Sequence, residues 1–478
     1  MAFERIRSIR RKCEHSTKLA LFIVFYTNML DSLLLTAVVP IIPDILLDLD
    51  EANFHSRNRT LYRNESGLSL NQTQSQSLTQ KAFSLSVSAL NENTKVGWLL
   101  SSKAIIQLIA GPLIGPLCNR VGYPIVLFCG CVVILASALI FACAEMYIPL
   151  FFARAVQGLG SAGTVIAGMS IVASRYPDDR ARSGAMGLAM GGAAFGVLVG
   201  YPFGGFMYTF VGKISPFLVI CVLICVDLGL QWFVFNLSVT TENACRSTPL
   251  HKLLRDPYIL IVSGIIMITT MAMSVLEPTV PLWILDKMHA EKWQLGLVFL
   301  PDSVGYLVGT NFFGIAARSI GRWITTLCCM LLIGLCLVCL PFATTVPQLI
   351  LPHFGIGLGI GITDAALFPL LALLVDTRHD AFYGSVYAIA QLAVCLAYSI
   401  GPSVAGQIVK AIGFPWLIRG TAILNLLYCP LCLFLRKFPR TDEEIPVIMS
   451  HKTKTENYTK DADTENSSFS YGRLCEDD

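Results

Sequence analysis

The chain has 478 residues, 54% of them hydrophobic and only 14% charged, with a net charge of +3. Soluble domains carry nearer a quarter charged residues, so a mean hydropathy of +0.63 excludes a water-soluble globule and makes a bilayer the solvent. The small net charge gives no signal of a nucleic-acid partner. The 16 cysteines lie mostly in apolar runs (Cys129, Cys131, Cys328, Cys329), where they pack as small hydrophobes rather than form a disulfide framework.

Residues 1–18 are basic, with Arg5, Arg7, Arg10, Arg11, Lys12 and Lys18. They are not a cleavable signal, because the apolar run that follows is too long for an h-region and lacks a small-residue cleavage site. A membrane-crossing helix needs about 20 predominantly apolar residues. Twelve such spans are expected, near 19–47, 96–118, 124–144, 147–173, 183–211, 214–236, 256–287, 294–318, 322–343, 347–377, 382–412 and 414–436. Several are long enough to require tilt or a kink. Basic residues recur in alternate loops, at Arg120, at Arg175, Arg180 and Arg182, at Arg246, Lys252 and Arg255, at Arg318 and Arg322, and at Arg378, while the intervening short loops are poorer in them, the one after span 7 having Lys287 and Lys292. The positive-inside rule therefore puts both termini in the cytosol.

The loop 48–95 falls on the other side. It is polar, and its sequons at Asn58, Asn64 and Asn71 mark it for glycosylation. "SGAMGLAMGG" from Ser183 is echoed by "YGSVYAIAQL" from Tyr383, with Gly184 and Pro202 matching Gly384 and Pro402 at one offset. Duplicated six-span halves are a transporter architecture with the substrate near the midplane. The expected organisation is a cytosolic N-terminus (1–18), a first half (19–237) that includes the 48–95 loop, a cytosolic linker (238–255), a second half (256–436) and a cytosolic tail (437–478). The fold class is an all-α membrane protein of twelve helices in two pseudo-symmetric six-helix halves.

Charged residues interrupt these spans at Asp31, Lys103, Arg154, Asp227, Glu277, Asp302 and Asp364. Each costs about 2.5–3.5 kcal/mol at a helix centre on insertion scales, so they must face an interior cavity, pair together, or both. Asp31 and Lys103 can neutralise one another until a cationic substrate or a proton competes. A purely structural ion pair is the other reading of Asp31 and Asp364. Lys103 is near enough to a span end to snorkel, Arg154 also reads as a tether, and Glu277 precedes a proline, where it serves either a gate or the kink. For Asp227 both readings stand. Gly196, Gly200 and Pro202 sit in a glycine cluster of span 5 that permits close helix contact. No Walker A sequence, H-E-x-x-H or metal-binding C-x-x-C pair is present, so the chain is not read as an enzyme and needs no cofactor.

The span 5 cluster also resembles the glycine–proline signature of antiporters in the major facilitator superfamily, with Tyr201 intervening before Pro202. "GPLCNRVGY" resembles that superfamily's loop between spans 2 and 3, with Asn119 where Asp is usual. "MLDSLLLTAVVPIIP", "LEPTVPLW", "KWQLGLVFLP", "YGSVYAIA" and "VKAIGFPWL" resemble the vesicular amine transporters, the monoamine members more than the acetylcholine members. The resemblance spans nearly the whole chain from the first span to the last. It implies exchange of luminal protons for cytosolic amines such as serotonin, dopamine, histamine, octopamine or tyramine. It implies substrate contacts at Asp31, Ser32, Glu277, Tyr306, Tyr398 and Trp283. It implies proton coupling through Asp31, Lys103, Glu277 and Asp364, a structural or gating role for Arg154, and a proton gradient as the energy source.

Four departures stand out. The family usually has Asp where Gln391 follows "VYAIA", and a small residue where Asp302 follows "FLP"; Asp302 is a candidate to replace the missing carboxylate in part. Span 4 keeps only Ser161 and Thr164 of a serine-rich run. The family's luminal disulfide has no cysteines here, with His289 at one expected end. The tail string "EEIPVIM" resembles an acidic-dileucine signal through Glu444, Ile448 and Met449 and implies sorting adaptors and a vesicle address. The expected molecule works as a monomer in the lipid bilayer. The runner-up is a vesicular acetylcholine or other organic-cation/proton antiporter. A non-transporting receptor or scaffold of the same fold is the bland alternative.

Overall fold

The computed structural model describes residues 16–38, 98–99, 101–144, 146–235, 250–288, 294, 297–379 and 382–437. The sequons at Asn58, Asn64 and Asn71, the sorting residues Glu444, Ile448 and Met449, His289, residues 1–15 and most of the 238–255 linker lie outside the described residues.

The described chain folds into twelve long helices: α1 (Thr17–Ala37), α2 (Ser101–Val121), α3 (Tyr123–Cys143), α4 (Tyr147–Arg175), α5 (Asp179–Phe210), α6 (Ser215–Val234), α7 (Pro257–Met288), α8 (Leu300–Ile320), α9 (Arg322–Cys339), α10 (Ile350–Arg378), α11 (Tyr383–Ile412) and α12 (Phe414–Tyr428). A 3-10 turn, Cys429–Lys437, extends the last. Among the described residues there is no strand, which follows from the need of a backbone in lipid to satisfy its own hydrogen bonds. Ser16 caps α1 by accepting from Leu19 N, and Asp178 caps α5 by accepting from Ala181 N.

Eleven of the helices are long and apolar enough to cross a membrane, and α8 is the exception. The cause is visible in its packing. Gly305 and Gly309 press against the backbone of α10, and Gly314 against Ser183 O at the start of α5. Much of α8 is solvated by protein rather than lipid, so it tolerates Asp302, Asn311 and Arg318. It begins at Leu300, six residues later than the expected 294, because the preceding residues turn before the helix is entered.

The two halves repeat one packing scheme. In the first, α1 packs on α5, α4 and α6, and α3 on α4 and α6; in the second, α7 packs on α11, α10 and α12, and α9 on α10 and α12. Gly122 and Gly321 open α3 and α9 with φ of 108° and 114°, a left-handed backbone that only glycine adopts without strain. The halves meet where α5 crosses α8 and where α4 crosses α11.

Within the first half, α5 offers a glycine at every fourth position to α1. A Cβ on Gly192 would meet Phe25 O, on Gly196 Met29 O, on Gly200 the Thr36 hydroxyl, and on Gly204 Ala37 O. One helix face recurs at this spacing, and small residues there let backbones approach. Pro202 lies in the same helix with its ring exposed. Gly196→Ala should cost about 1–3 kcal/mol of overpacking and lower the apparent Tm of detergent-solubilised protein. Gly205→Ala, with nothing within 4 Å of the added carbon, should leave it unchanged.

Candidate functional site

The α1–α5 contact fixes the height and rotation of α1, and with them Asp31. The Asp31 carboxylate is 6% exposed as a residue. It accepts from Lys103 Nζ of α2 at 3.2 and 3.1 Å, from Gln157 Nε2 of α4 at 3.1 Å, and from the Ser161 hydroxyl of α4. Lys103 is buried with it rather than snorkelled to an interface. Gly158 makes this approach possible, since a Cβ there would strike the Lys103 backbone. Ser32, the next residue, is half-buried.

Arg154 is fully buried one turn from Gln157. It donates to Gln157 Oε1 at 3.0 Å and to Leu35 O at 2.9 Å, and its guanidinium stands 5.8 Å from the Phe141 ring centroid. It also interacts electrostatically with Asp31 and with Glu277 of α7, which links the two halves. Glu277 accepts from Tyr201 of α5 at 3.4 Å. The residue that interrupts the glycine–proline pattern is therefore a cross-half ligand of a membrane-buried acid.

The second half supplies a separate acidic group. Tyr306 of α8 donates to Asp364 Oδ2 of α10 at 3.0 Å. Gly361 brings α10 onto the Tyr306 backbone, and Gly357 brings it onto Asp302. Asp302 interacts electrostatically with Glu277, and Tyr398 of α11 interacts with Glu277, Asp302 and Asp364 together. One carboxyl oxygen each of Asp302 and Asp364 has no hydrogen-bond partner, and neither residue has an ion pair among the described residues. Glu277, Tyr201, Tyr306 and Tyr398 keep partial exposure and stand on α7, α5, α8 and α11, so both halves contribute to this group.

Two expected residues lie apart. Trp283 is stacked on Phe414 at 4.5 Å in the α7–α12 core, with Lys287 Nζ 5.5 Å from its ring. The structure does not gather it with Asp31 or Glu277. Gln391 donates to Cys395 Sγ at 3.5 Å, and Cys395 reaches Gln107 Oε1 of α2 at 3.9 Å; this amide–thiol chain joins α11 to α2 without an ion. Among the described residues all cysteines are free.

The end of the bundle that carries the basic loops is shut by residues that composition had counted only as positive charge. Arg318 and Arg322 converge on Asp179 at 2.8 and 2.7 Å. Arg182 pairs with Asp376 at 2.6 Å, and Tyr383 donates to the same carboxylate at 2.8 Å. Asn119 donates to Ser385 Oγ at 3.0 Å and accepts from Gly384 N at 3.2 Å, so it caps the start of α11. Asp256, in the turn before α7, accepts from Arg378 at 2.7 Å and His379 at 3.0 Å. Burial raises the Asp256 carboxyl, and the hydrogen bonds from Arg378, Tyr258 N and His379 outweigh it, so the group is held below its ordinary value.

Membrane-embedded charges and partly exposed tyrosines contributed by two repeated helical halves are the arrangement of a membrane transporter. The profile of the Major Facilitator Superfamily matches residues 21–378 and 262–462. The human organic anion transporter MFSD10 (TETRAN) has the same fold, with a TM-score of 0.69 at 16% identity, covering 87% of this chain and 99% of that one. The human synaptic vesicular amine transporter is 42% identical over 96% of this chain and 97% of its own length. A probable vesicular acetylcholine transporter-B of Danio rerio is 39% identical over 89% of this chain and 81% of its own. The chain belongs to the vesicular amine transporter family of the major facilitator superfamily, and is a transporter rather than an enzyme.

Proposed function

We propose that the chain is a proton-coupled antiporter that loads cationic monoamines from the cytosol into acidic secretory or synaptic vesicles by alternating access. The observation that carries the reading is the buried Asp31–Lys103 pair at 3.1 Å, with three further membrane-embedded carboxylates, Glu277, Asp302 and Asp364, on α7, α8 and α10 of the other half. The likeness to amine transporters over nearly the whole chain supports it. The basic end faces the cytosol, so the conformer described here is closed to the cytosol.

In the cytosol-open state an ammonium group competes with Lys103 for Asp31, and Glu277 adds a second acidic contact. Tyr306 and Tyr398 contribute cation–π attraction of about 0.5–2 kcal/mol each. After the halves rock, protonation from the acidic lumen removes the counter-charge and the amine leaves; Asp364 releases its proton to reset the carrier. No cofactor takes part, and a single chain holds both halves of the site.

The thermodynamics make the number of titrating acids decisive. A tenfold amine gradient costs about 1.4 kcal/mol, and a proton moving down one pH unit releases about the same. Accumulation well beyond tenfold per pH unit needs a second proton. Gln391 supplies none, and Asp302 takes its place. Asp302→Asn should lower steady-state accumulation by about tenfold per pH unit of gradient. Full accumulation with unchanged pH dependence removes Asp302 from the coupling set.

The test of the whole reading is uptake of a panel of labelled amines into acidified vesicles, with and without a proton ionophore. Saturable monoamine uptake that collapses with the ionophore is the expected result. Ionophore-sensitive flux without monoamine preference moves the assignment to acetylcholine or another organic cation, and no proton-dependent flux ends it.

A further inference from the structure

A second carboxylate besides Asp31 is buried in the first half, on α6. Asp227 of α6 is 0% exposed. Its Oδ2 accepts from Thr27 Oγ1 of α1 at 2.8 Å, from Gln231 Nε2 at 2.9 Å and from Cys131 Sγ of α3 at 3.5 Å. Gln231 Nε2 also reaches Thr27 Oγ1 at 3.3 Å and Cys131 Sγ at 3.0 Å. The groups that face Asp227 are therefore Thr27 and, electrostatically, Tyr26 from α1, Cys131 from α3, and Gln231 from its own helix. Among the described residues none of them is a cation.

Two acceptors are left over: Asp227 Oδ1 and Gln231 Oε1 are buried without hydrogen-bond partners. They belong to residues one helical turn apart. A bare anion here pays a desolvation cost of several kcal/mol that three neutral donors on Oδ2 offset only in part with no cation beside them, and two orphaned oxygens add to it. One hydrogen resolves both: a proton on Oδ1 neutralises the acid and turns it into a donor to Gln231 Oε1. Nε2–H already donates to Oδ2, and the added proton leaves one donor and one acceptor on the same two side chains.

We propose that Asp227 is a neutral acid whose proton is bound against Gln231 and is not exchanged, and that it serves as a positioning residue for Asp31. Thr27 is four residues before Asp31, on the same face of α1 and about 6 Å along it. The tie from Thr27 to Asp227 fixes the rotation at which α1 presents Asp31 to Lys103. The proton stays because Asp31's own partners, Lys103, Gln157 and Ser161, make no hydrogen bond to the Asp227 group among the described residues.

The uptake arm of the test rests on the transport reading above; the infrared arm does not. Asp227→Asn reproduces the pair with an amide, whose carbonyl accepts from Thr27 and Gln231 and whose NH2 donates to Gln231. It should keep amine KM, maximal rate and pH profile within about twofold of the parent, less than the loss of one hydrogen bond produces. Thr27→Val, which keeps the shape and cuts the tie, should raise KM about threefold or more and displace the pH midpoint of uptake at normal folded yield. The infrared difference between parent and Asp227→Asn at neutral pH should show a lost protonated-carboxyl carbonyl band. A lost carboxylate band instead makes Asp227 ionised and overturns the inference. So does an Asp227→Asn protein that exchanges amines but no longer accumulates them against a pH gradient, because its proton then turns over. An unaltered KM and pH profile in Thr27→Val overturns the positioning role.

Discussion

Asp31→Asn should reduce ionophore-sensitive amine uptake to background, by at least about a hundredfold, while the protein still reaches the membrane. The carboxylate is the common acceptor of Lys103, Gln157 and Ser161. An amide keeps the shape but cannot hold a positive charge. The same change strands Lys103 in a buried site, and removing one member of a buried pair costs about 3–5 kcal/mol; at 1.4 kcal/mol per decade that alone covers about two to three and a half decades in an equilibrium. Loss of binding and loss of folding are separated by the double variant Asp31→Asn with Lys103→Met. It removes both charges, and neutral replacement of a buried pair is often tolerated. Its size-exclusion profile in detergent should return to that of the parent and its uptake should not. Normal uptake in the single variant would remove Asp31 from the exchange.

Why some of this was legible in the sequence and some was not follows from which costs are local. The cost of placing Asp31, Lys103, Glu277 and Asp364 in apolar runs is paid residue by residue, so composition exposes them. Their neutral partners carry no such mark. Gln157 reads as an ordinary span residue and Ser161 as the remnant of a serine run, yet both bond Asp31. Tyr201 reads as an interruption, yet it bonds Glu277. The basic-end acids were hidden for the opposite reason. Asp179, Asp376 and Asp256 sit near helix ends among arginines, where a charge is unremarkable, and only the fold brings Arg318, Arg322, Arg182 and Arg378 onto them. The apolar runs of the sequence place all twelve helices, with α8 the least apolar, because its polar and glycine positions are solvated by α5 and α10, which are distant in sequence.

Asp179→Ala should open the basic end. The Asp179 carboxylate is the shared acceptor of Arg318 Nε and of Arg322, which donates to both of its oxygens. All three groups are largely buried. Asp179 belongs to the first half and both arginines to the second, so the cluster exists only while the halves are closed at that end. Without the acid, two guanidiniums of like charge face one another, and closure loses about 3–5 kcal/mol. In a two-state carrier that shifts the population about a hundred- to a thousandfold toward the open state. Arg182–Asp376 remains, so the shift falls at the lower end of that range. The readout is the maleimide labelling rate of Ser385→Cys, a position 2% exposed beneath the latch, against a parent in which the same cysteine is slow. The rate should rise at least about tenfold in the Asp179→Ala background, and net accumulation should fall because the carrier returns to the closed state too rarely. Equal labelling in both backgrounds would mean that closure is held by the α5–α8 and α2–α11 backbone contacts at Gly187 and Gly115, with the ion pairs as passengers. That outcome would move the gate from charge to helix packing.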